Sequence, residues 1–419
     1  MAVTRRAVPI VIALVTVLSF GAYAEDSLRF LAVNYSPQLL QALNDWIIPR
    51  FEERYGVEVE LQNATWEDRV DRFVVQTVGG VAPDVVVTGY YSAYEEGAAG
   101  LLLPLDPFLD SWQYRDMIPE PIWQSQGWDG YIYAMPMEVD VRGIVYSKAV
   151  FEQAGLDSSR TPQSWEELLA WVGRLTVTTP DQQSVTQRGI WYDTHAQNLF
   201  WLMMQAGVPP VDLATLESNF DTPEALAAAE MLLDLHTTSQ ASLPGPRAVD
   251  VLYGKTAMSW FHPGWFNRTL AEMEDPAAMA REVGIFPPQR SPEDAPVAIG
   301  FINGLAITRS SPNPELAWKL IEFLTSEEVI QELYRITGWV SPRMDIIPEL
   351  MYWPGVDMFY GLVPHIQTVV VPPPRNQAQG QLDQMVKAMA QNRIPPLTVT
   401  TNAHTLWTRL LNEWQATWQ

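Results

Sequence analysis

The sequence predicts an α/β protein in which mostly parallel strands are covered by helices. Two observations carry that expectation. Between residues 28 and 87 the hydrophobic pattern switches between strand-like and helical spacing, with turn residues closing each apolar run. The chain is also long enough, at 419 residues, for two domains with cores of their own.

The elements follow in order. Leu28 to Val33 reads as the first strand, ending at Asn34-Tyr35. Ser36 can cap the next helix, whose apolar positions Leu39, Leu40, Leu43, Trp46 and Ile47 recur at helical spacing. Pro49 should kink that helix, and Gly56 suits its stop. Val57, Val59 and Leu61 alternate with Glu58 and Glu60 as a half-exposed strand. Trp66, Val70, Phe73 and Val74 mark a second helix, which Gly79-Gly80 breaks before a buried strand from Asp84 to Val87. Ser164 with Glu167 forms a capping box for a helix through Leu175. Thr222-Pro223 and Asn313-Pro314 each place a cap and then Pro at the first helical position. Residues 286 to 296 and 371 to 374 are Pro-rich and read as extended surface connectors.

The most informative stretch is residues 81 to 150. Buried strands alternate there with turns, and polar or aromatic residues sit just beyond the strand ends, where an open α/β sheet places a ligand.

The N-terminus reads as a secretory signal. Arg5 and Arg6 precede an apolar run from Ala7 to Phe20, and Ala22-Tyr23-Ala24 supplies small residues at a cleavage site. Cleavage after Ala24, a soluble mature chain and a periplasmic location are expected; Thr4-Arg5-Arg6 leaves twin-arginine export open beside the general route. No Cys stands at the cleavage site for a lipid anchor, and no later segment is apolar enough to be an integral membrane span. The absence of cysteine removes disulfides, thiol catalysis and thiolate metal sites. Formal net charge is −23, or −25 once Arg5 and Arg6 are removed, which speaks against nucleic acid as a partner. With 22 Arg and only 4 Lys, the acidic surface fits a salt-tolerant organism or simply high solubility.

Seven short motifs in a fixed order carry a family likeness. They are Ala82-Pro83-Asp84 before a buried strand, Trp128-Asp129-Gly130-Tyr131 leading to Met135-Pro136, and Arg142 to Lys148. Thr161 to Leu168 follows, then Gly254-Lys255-Thr256-Ala257-Met258 with Pro263-Gly264-Trp265. Gly304-Leu305-Ala306-Ile307 with the helix from Ser311, and Gly338 to Pro342, complete the set. Together they resemble the extracellular solute-binding protein family 1, whose members feed sugars to ABC importers. The resemblance covers nearly all of the mature chain and implies a two-lobed periplasmic binding protein, or Venus-flytrap, fold. It implies a first lobe of residues 25–138 plus 304–350 and a second of 139–303 plus 351–419, with ligand in the cleft between them.

The same resemblance supplies site candidates. Trp260, His262 and Trp265 flank a turn where the family places a sugar-stacking aromatic, and Trp339 sits in a second turn facing the cleft in relatives. Thr88 aligns with a ligand-contacting aromatic, removing a stacking surface that Tyr90 and Tyr91 could restore. Asn34 and Tyr35 occupy the first strand-to-helix turn, a usual contact point. Asp140 aligns with a sugar-binding carboxylate; its competing reading is a salt bridge to Arg142. Arg375 could hydrogen-bond ligand oxygens or stand on a solvated surface. The chain has 17 Trp, but Trp46, Trp165, Trp171, Trp318, Trp407 and Trp414 fall at helical spacing and read as core.

Enzyme motifs are missing from the sequence. There is no Gly-x-Ser-x-Gly elbow and no His-Glu-x-x-His pair. Gly254-Lys255-Thr256 imitates a phosphate loop, but Val249 stands where its first Gly should be. No cofactor, metal or catalytic residue is expected. The expectation is an exported, monomeric binding component that captures a small-molecule ligand, a mono- or oligosaccharide, and delivers it to an inner-membrane permease by hinge closure. The alternatives are the same fold binding a phosphorylated polyol, polyamine or other small solute, and a secreted carbohydrate-active hydrolase working through paired carboxylates.

Overall fold

The structure, a computed structural model, describes residues 27–416 apart from 90–91, 182–183, 193, 240–247, 261, 352 and 370–374. It also leaves undescribed the side chains of Glu67, Glu349, Leu350, Arg375, Asn376 and Gln377. The signal segment, Tyr90, Tyr91 and the Pro run at 372–374 therefore lie outside the described residues.

The first sheet is built from the start of the chain. Strand Ser27–Val33 pairs in parallel with Glu58–Ala64 on one side and Val85–Thr88 on the other. Side-chain caps and a glycine stop hold the intervening helices, those at Ser36 and Gly56 as expected. Ser36 Oγ accepts from the Leu39 amide, Thr65 Oγ1 from Asp68, and Gly56 ends its helix in the left-handed region at φ 70°. The expected kink before Pro49 is a five-residue π segment, Leu43–Ile47. Pro49 has no N–H to give to the preceding turn, and the ladder widens there.

Later strands depart from a mostly parallel arrangement. Ala298–Ile307 returns antiparallel to Val85–Thr88 and also to Met135–Arg142 on its other side. Ile366–Thr368 adds a short parallel strand. The second sheet runs in the order Val283–Phe286, Ile144–Ser147, Thr256–Trp260, Val185–Trp191, Val177–Thr178. Only Thr256–Trp260 with Val185–Trp191 is parallel in it. The reason is topological: a strand that arrives directly from the other sheet, without a covering helix between, is free to run against its neighbour.

The chain passes between sheets at Gly143, where Met135–Arg142 ends and Ile144–Ser147 begins. A Cβ at Gly143 would stand 2.8 Å from the Phe286 carbonyl and 2.9 Å from Leu362 Cδ1, so this crossover has no room for a side chain. It passes back between Phe286 and Ala298. One core cluster fills one face of the first sheet and one face of the second, another, with Trp165, Trp171 and Trp407, fills the far face of the second, and a third, around Leu31, Phe73 and Val86, fills the other face of the first. Of the expected caps there, Ser164 Oγ accepts from the Glu167 amide, but the Glu167 carboxylate takes the Gln163 amide rather than that of Ser164. Thr222 and Asn313 cap as expected. Among the described residues no helix is long and apolar enough to cross a membrane.

Candidate functional site

The cleft floor is a consequence of strand periodicity. Glu138, Asp140 and Arg142 alternate along Met135–Arg142, so their side chains share one face. The antiparallel register sets Asn303 across from Glu138 and Phe301 across from Asp140. Asn303 Nδ2 donates to Glu138 Oε2 at 2.9 Å. Arg142 grips Asp140 with two nitrogens, Nε at 3.0 and 3.1 Å from the two oxygens and Nη2 at 2.5 Å from Oδ2. Its guanidinium lies 4.7 Å over the Phe301 ring and 5.6 Å from that of Trp260.

The helix Pro263–Ala271 roofs this floor. His262 is its N-cap, and the Trp265 amide donates to His262 Nδ1 at 3.4 Å. With Nδ1 accepting, the neutral ring carries its hydrogen on Nε2. That nitrogen faces two carboxyls, 3.6 Å from Asp140 Oδ2 and 3.9 Å from Glu138 Oε1. Trp265, one turn in, is 59% exposed although it is a large aromatic beside the cleft. Arg268 follows a turn later, its Nε bonded to the Gly264 carbonyl.

Two cavities meet under this roof. The inner one, about 140 Å³, is lined by Asn34, Tyr35, Glu138, His262, Trp339 and neighbours. The outer one, about 750 Å³, takes in Asp140, Arg142 and Phe301, with His195, Gln197, Gln379 and Asp383 from the opposite wall. Asn34, Trp66, His262, Trp265 and Asn303 border both. Asn34 holds φ at 56°, a left-handed conformation Asn tolerates, where the first strand turns into its helix. The Tyr35 ring packs 5.9 Å from that of Trp339. On the opposite wall, His195 Nε2 lies 3.3 Å from Asp383 Oδ2.

The structure brings together seven of the residues the sequence singled out: Asn34, Tyr35, Asp140, Arg142, His262, Trp265 and Trp339. Asp140 pairs with Arg142, as its salt-bridge reading expects, and it also lines the outer cavity. Two others point elsewhere. Thr88 is fully buried, its hydroxyl 3.4 Å from the Gly304 carbonyl, because it falls on the face of its strand away from the cleft. Trp260 is buried behind Arg142, packed 4.6 Å from Trp201. Tyr90, Tyr91 and the Arg375 side chain lie outside the described residues. The sequence reading passed over Glu138, Asn303, Trp66, Arg268, His195, Gln379 and Asp383. For Glu138 the signal is present in the sequence, as the first rung of the Glu-x-Asp-x-Arg alternation that also carries Asp140 and Arg142.

Burial sets the electrostatics. It pushes the Glu138 carboxyl up to about 8, with nearby Asp140 adding to the rise against the Asn303 hydrogen bond and the two arginines. Burial works the same way on Asp140, but Arg142 and His262 overcome it and hold that carboxyl below its ordinary value. Burial pushes His262 down; Asp140 opposes this and Arg142 and Arg268 reinforce it. At neutral pH the floor thus holds one tight ion pair, Asp140 with Arg142, beside a largely uncharged Glu138 and His262. Among the described residues no group of three or more His, Asp or Glu could hold a metal ion.

Glu138 carries a stability signature. Its folded value lies above its unfolded one, so its contribution is fully present below the unfolded value and is lost as pH rises through about 8. Across that window it removes about 1.4 kcal/mol per pH unit at most. Glu138→Gln is expected to melt higher than the natural protein at pH 8 to 9 and to show a flatter pH profile, read by thermal denaturation. Parallel profiles for the two proteins would contradict the assignment.

The sequence model for bacterial extracellular solute-binding proteins matches residues 36–331. A binding protein of Brucella abortus is 22% identical over 282 residues, which is 66% of this chain and 66% of that protein, so the match spans just under two thirds of its length. Three solved structures share the fold. The sugar-binding protein MalE of Xanthomonas citri superposes with a TM-score of 0.79 at 16% identity, covering 94% of this chain and 99% of that one. An ABC transporter solute-binding protein from Thermotoga lettingae, bound with α-D-tagatose, gives 0.72 at 24%, covering 91% and 100%. UgpB of Mycobacterium tuberculosis, in complex with glycerophosphocholine, gives 0.75 at 20%, covering 92% and 98%. These likenesses establish the two-lobed α/β binding-protein fold, and with the match over residues 36–331 they place the chain in the bacterial extracellular solute-binding protein family.

Proposed function

We propose that this protein is the exported binding component of an ABC import system, capturing a carbohydrate in its cleft and delivering it to a membrane permease by hinge closure. The observation that supports this most is the composition of the cleft: a ladder of Glu138, Asp140 and Arg142 on the floor, with Trp66 and Trp265 bordering it. A sugar presents C–H faces to aromatic rings and hydroxyls to planar polar groups, and needs both in one place. A phosphorylated polyol would want several unmatched cations; Arg142 is held by Asp140, which leaves Arg268, bonded through Nε to the Gly264 carbonyl, to meet it. A polyamine would want several unmatched carboxylates; on the floor Asp140 is matched and Glu138 largely neutral, which leaves Asp71 and Asp383 on the outer wall. Of the solved relatives, the Thermotoga lettingae protein holds tagatose, in agreement with this choice, while UgpB holds glycerophosphocholine, in line with the alternative.

The lobes are read as residues 25–138 plus 304–350 and 139–303 plus 351–419. Those boundaries cut strands Met135–Arg142 and Ala298–Ile307 at the same rung, Glu138 opposite Asn303. The polar floor would then lie on the hinge strands, where ligand contact and lobe closure act on the same residues. Cleavage after Ala24, a periplasmic location and a monomer complete the reading. The acidic surface would steer encounters with a basic permease face, at rates that fall with salt.

Small-angle scattering tests closure. Residues 25–419 in a saturating mixture of mono- and oligosaccharides are expected to show a smaller radius of gyration than the protein alone, and chromogenic glycosides are expected to stay intact. An unchanged radius together with glycoside turnover would replace the binding reading with a hydrolase.

A further inference from the structure

The C-terminal helix does not end on the sheet it covers. Pro396–Gln415 sets Leu406, Trp407, Leu410 and Leu411 into the core on the far face of the second sheet. Its last turn leaves that core and meets elements of the first sheet. The Trp414 ring lies 5.8 Å from that of Trp128 and 6.2 Å from that of Tyr94, and those two are 4.2 Å apart. Tyr94 is buried on the helix Ser92–Ala98, and Trp128 lies in the short hairpin of Gly127–Trp128 with Tyr131–Ile132. Trp128 packs against the cluster of Ala93 and Tyr133 on the other face of the first sheet.

Helix lengths put this contact beside the cleft. Arg375–Ala390 carries Gln379, Gly380 and Asp383 on the wall of the outer cavity. The chain turns at 391–395, and Pro396–Gln415 packs back along it as a helical hairpin. At 20 residues against 16, the second helix is longer by about 6 Å at the usual helical rise. Its last turn therefore overruns the start of its partner at the cleft end and carries Trp414 toward the first sheet. On that side Gly89 borders the same cavity, and Tyr94 follows five positions later. Trp414 and Tyr94 thus meet from opposite flanks of the outer cavity.

Resting on the lobes proposed above, we propose that Trp414 is a latch between them. Docked on Tyr94 and Trp128 it holds the cleft flanks together, and released it lets them part. The C-terminal helix then sets the fraction of ligand-free molecules that are already closed. Through that fraction it sets the apparent affinity, although it lines neither the inner nor the outer cavity. An aromatic contact shifts a two-state ratio by about threefold to tenfold, which biases the lobes without locking them.

Distances between spin labels test it. The chain has no cysteine, so Ala99→Cys with Asn412→Cys, both at exposed positions beside the contact, gives two unique labelling sites. In ligand-free residues 25–419, pulsed dipolar spectroscopy is expected to show a short and a long distance. Trp414→Ala is expected to lower the short-to-long ratio by about threefold to tenfold, whereas Trp414→Phe keeps a ring and should stay near the natural ratio. The radius of gyration is expected to rise with the long distance. A saturating mixture of mono- and oligosaccharides should gather the natural protein at the short one. A single distance shared by all three proteins would overturn the latch, as would an unchanged ratio in Trp414→Ala. A long distance at constant radius would show only a frayed helix end, and would overturn it too. Two populations that Trp414→Ala redistributes but sugars leave alone would keep the latch and overturn the carbohydrate reading.

Discussion

Replacing Arg69 with Met is expected to cost about 3–5 kcal/mol of stability, because it strands a buried carboxylate. Arg69 is fully buried on the helix Trp66–Val78 and pairs through two nitrogens with Glu96, itself buried on Ser92–Ala98. Its Nε also donates to the Val87 carbonyl at 2.8 Å. One guanidinium thus ties two helices to the back of the Val85–Thr88 strand. Those helices support Trp66 and the strand end at Gly89, both on the cleft wall. Denaturant unfolding should show a lower midpoint with an unchanged slope. Arg69→Met/Glu96→Leu should recover much of the loss, since removing both charges also removes the desolvation cost. A double variant as unstable as the single one would show that packing, not the stranded charge, is responsible.

Trp265→Ala is expected to leave stability within about 0.5 kcal/mol, as for most surface changes, yet to weaken sugar binding by about 2 kcal/mol, roughly thirtyfold. Both halves follow from one number. A side chain 59% exposed contributes little to the fold, but a Trp left uncovered where the inner and outer cavities meet is placed for a ligand to cover. Calorimetry on the variant and a melting curve check the two parts separately. Unchanged affinity in a folded variant would remove Trp265 from the site.

What was legible in the sequence is what short-range physics determines. The first three strands, the Ser36, Thr222 and Asn313 caps and the Gly56 stop depend on neighbours a few residues away. The antiparallel second sheet was not legible, because Val283–Phe286 finds Ile144–Ser147 across more than a hundred residues. The site divides the same way. Asp140 and Arg142 are two residues apart and were found together, whereas Asn303 reaches Glu138 across 165 positions and His195 reaches Asp383 across 188. Trp260 and Trp265 flank one turn in the sequence. Strand alternation buries the first against Trp201, and the helix start exposes the second, a distinction only packing makes.

The central claim is that the native cleft binds a sugar. The most direct measurement is the melting temperature of residues 25–419 across a panel of sugars, polyols, phosphorylated polyols and polyamines. A ligand at a hundredfold excess over its dissociation constant stabilises the native state by about 2.7 kcal/mol. The account predicts a clear upward shift with a carbohydrate and none with the charged solutes. A shift produced only by a phosphorylated polyol or a polyamine would contradict it.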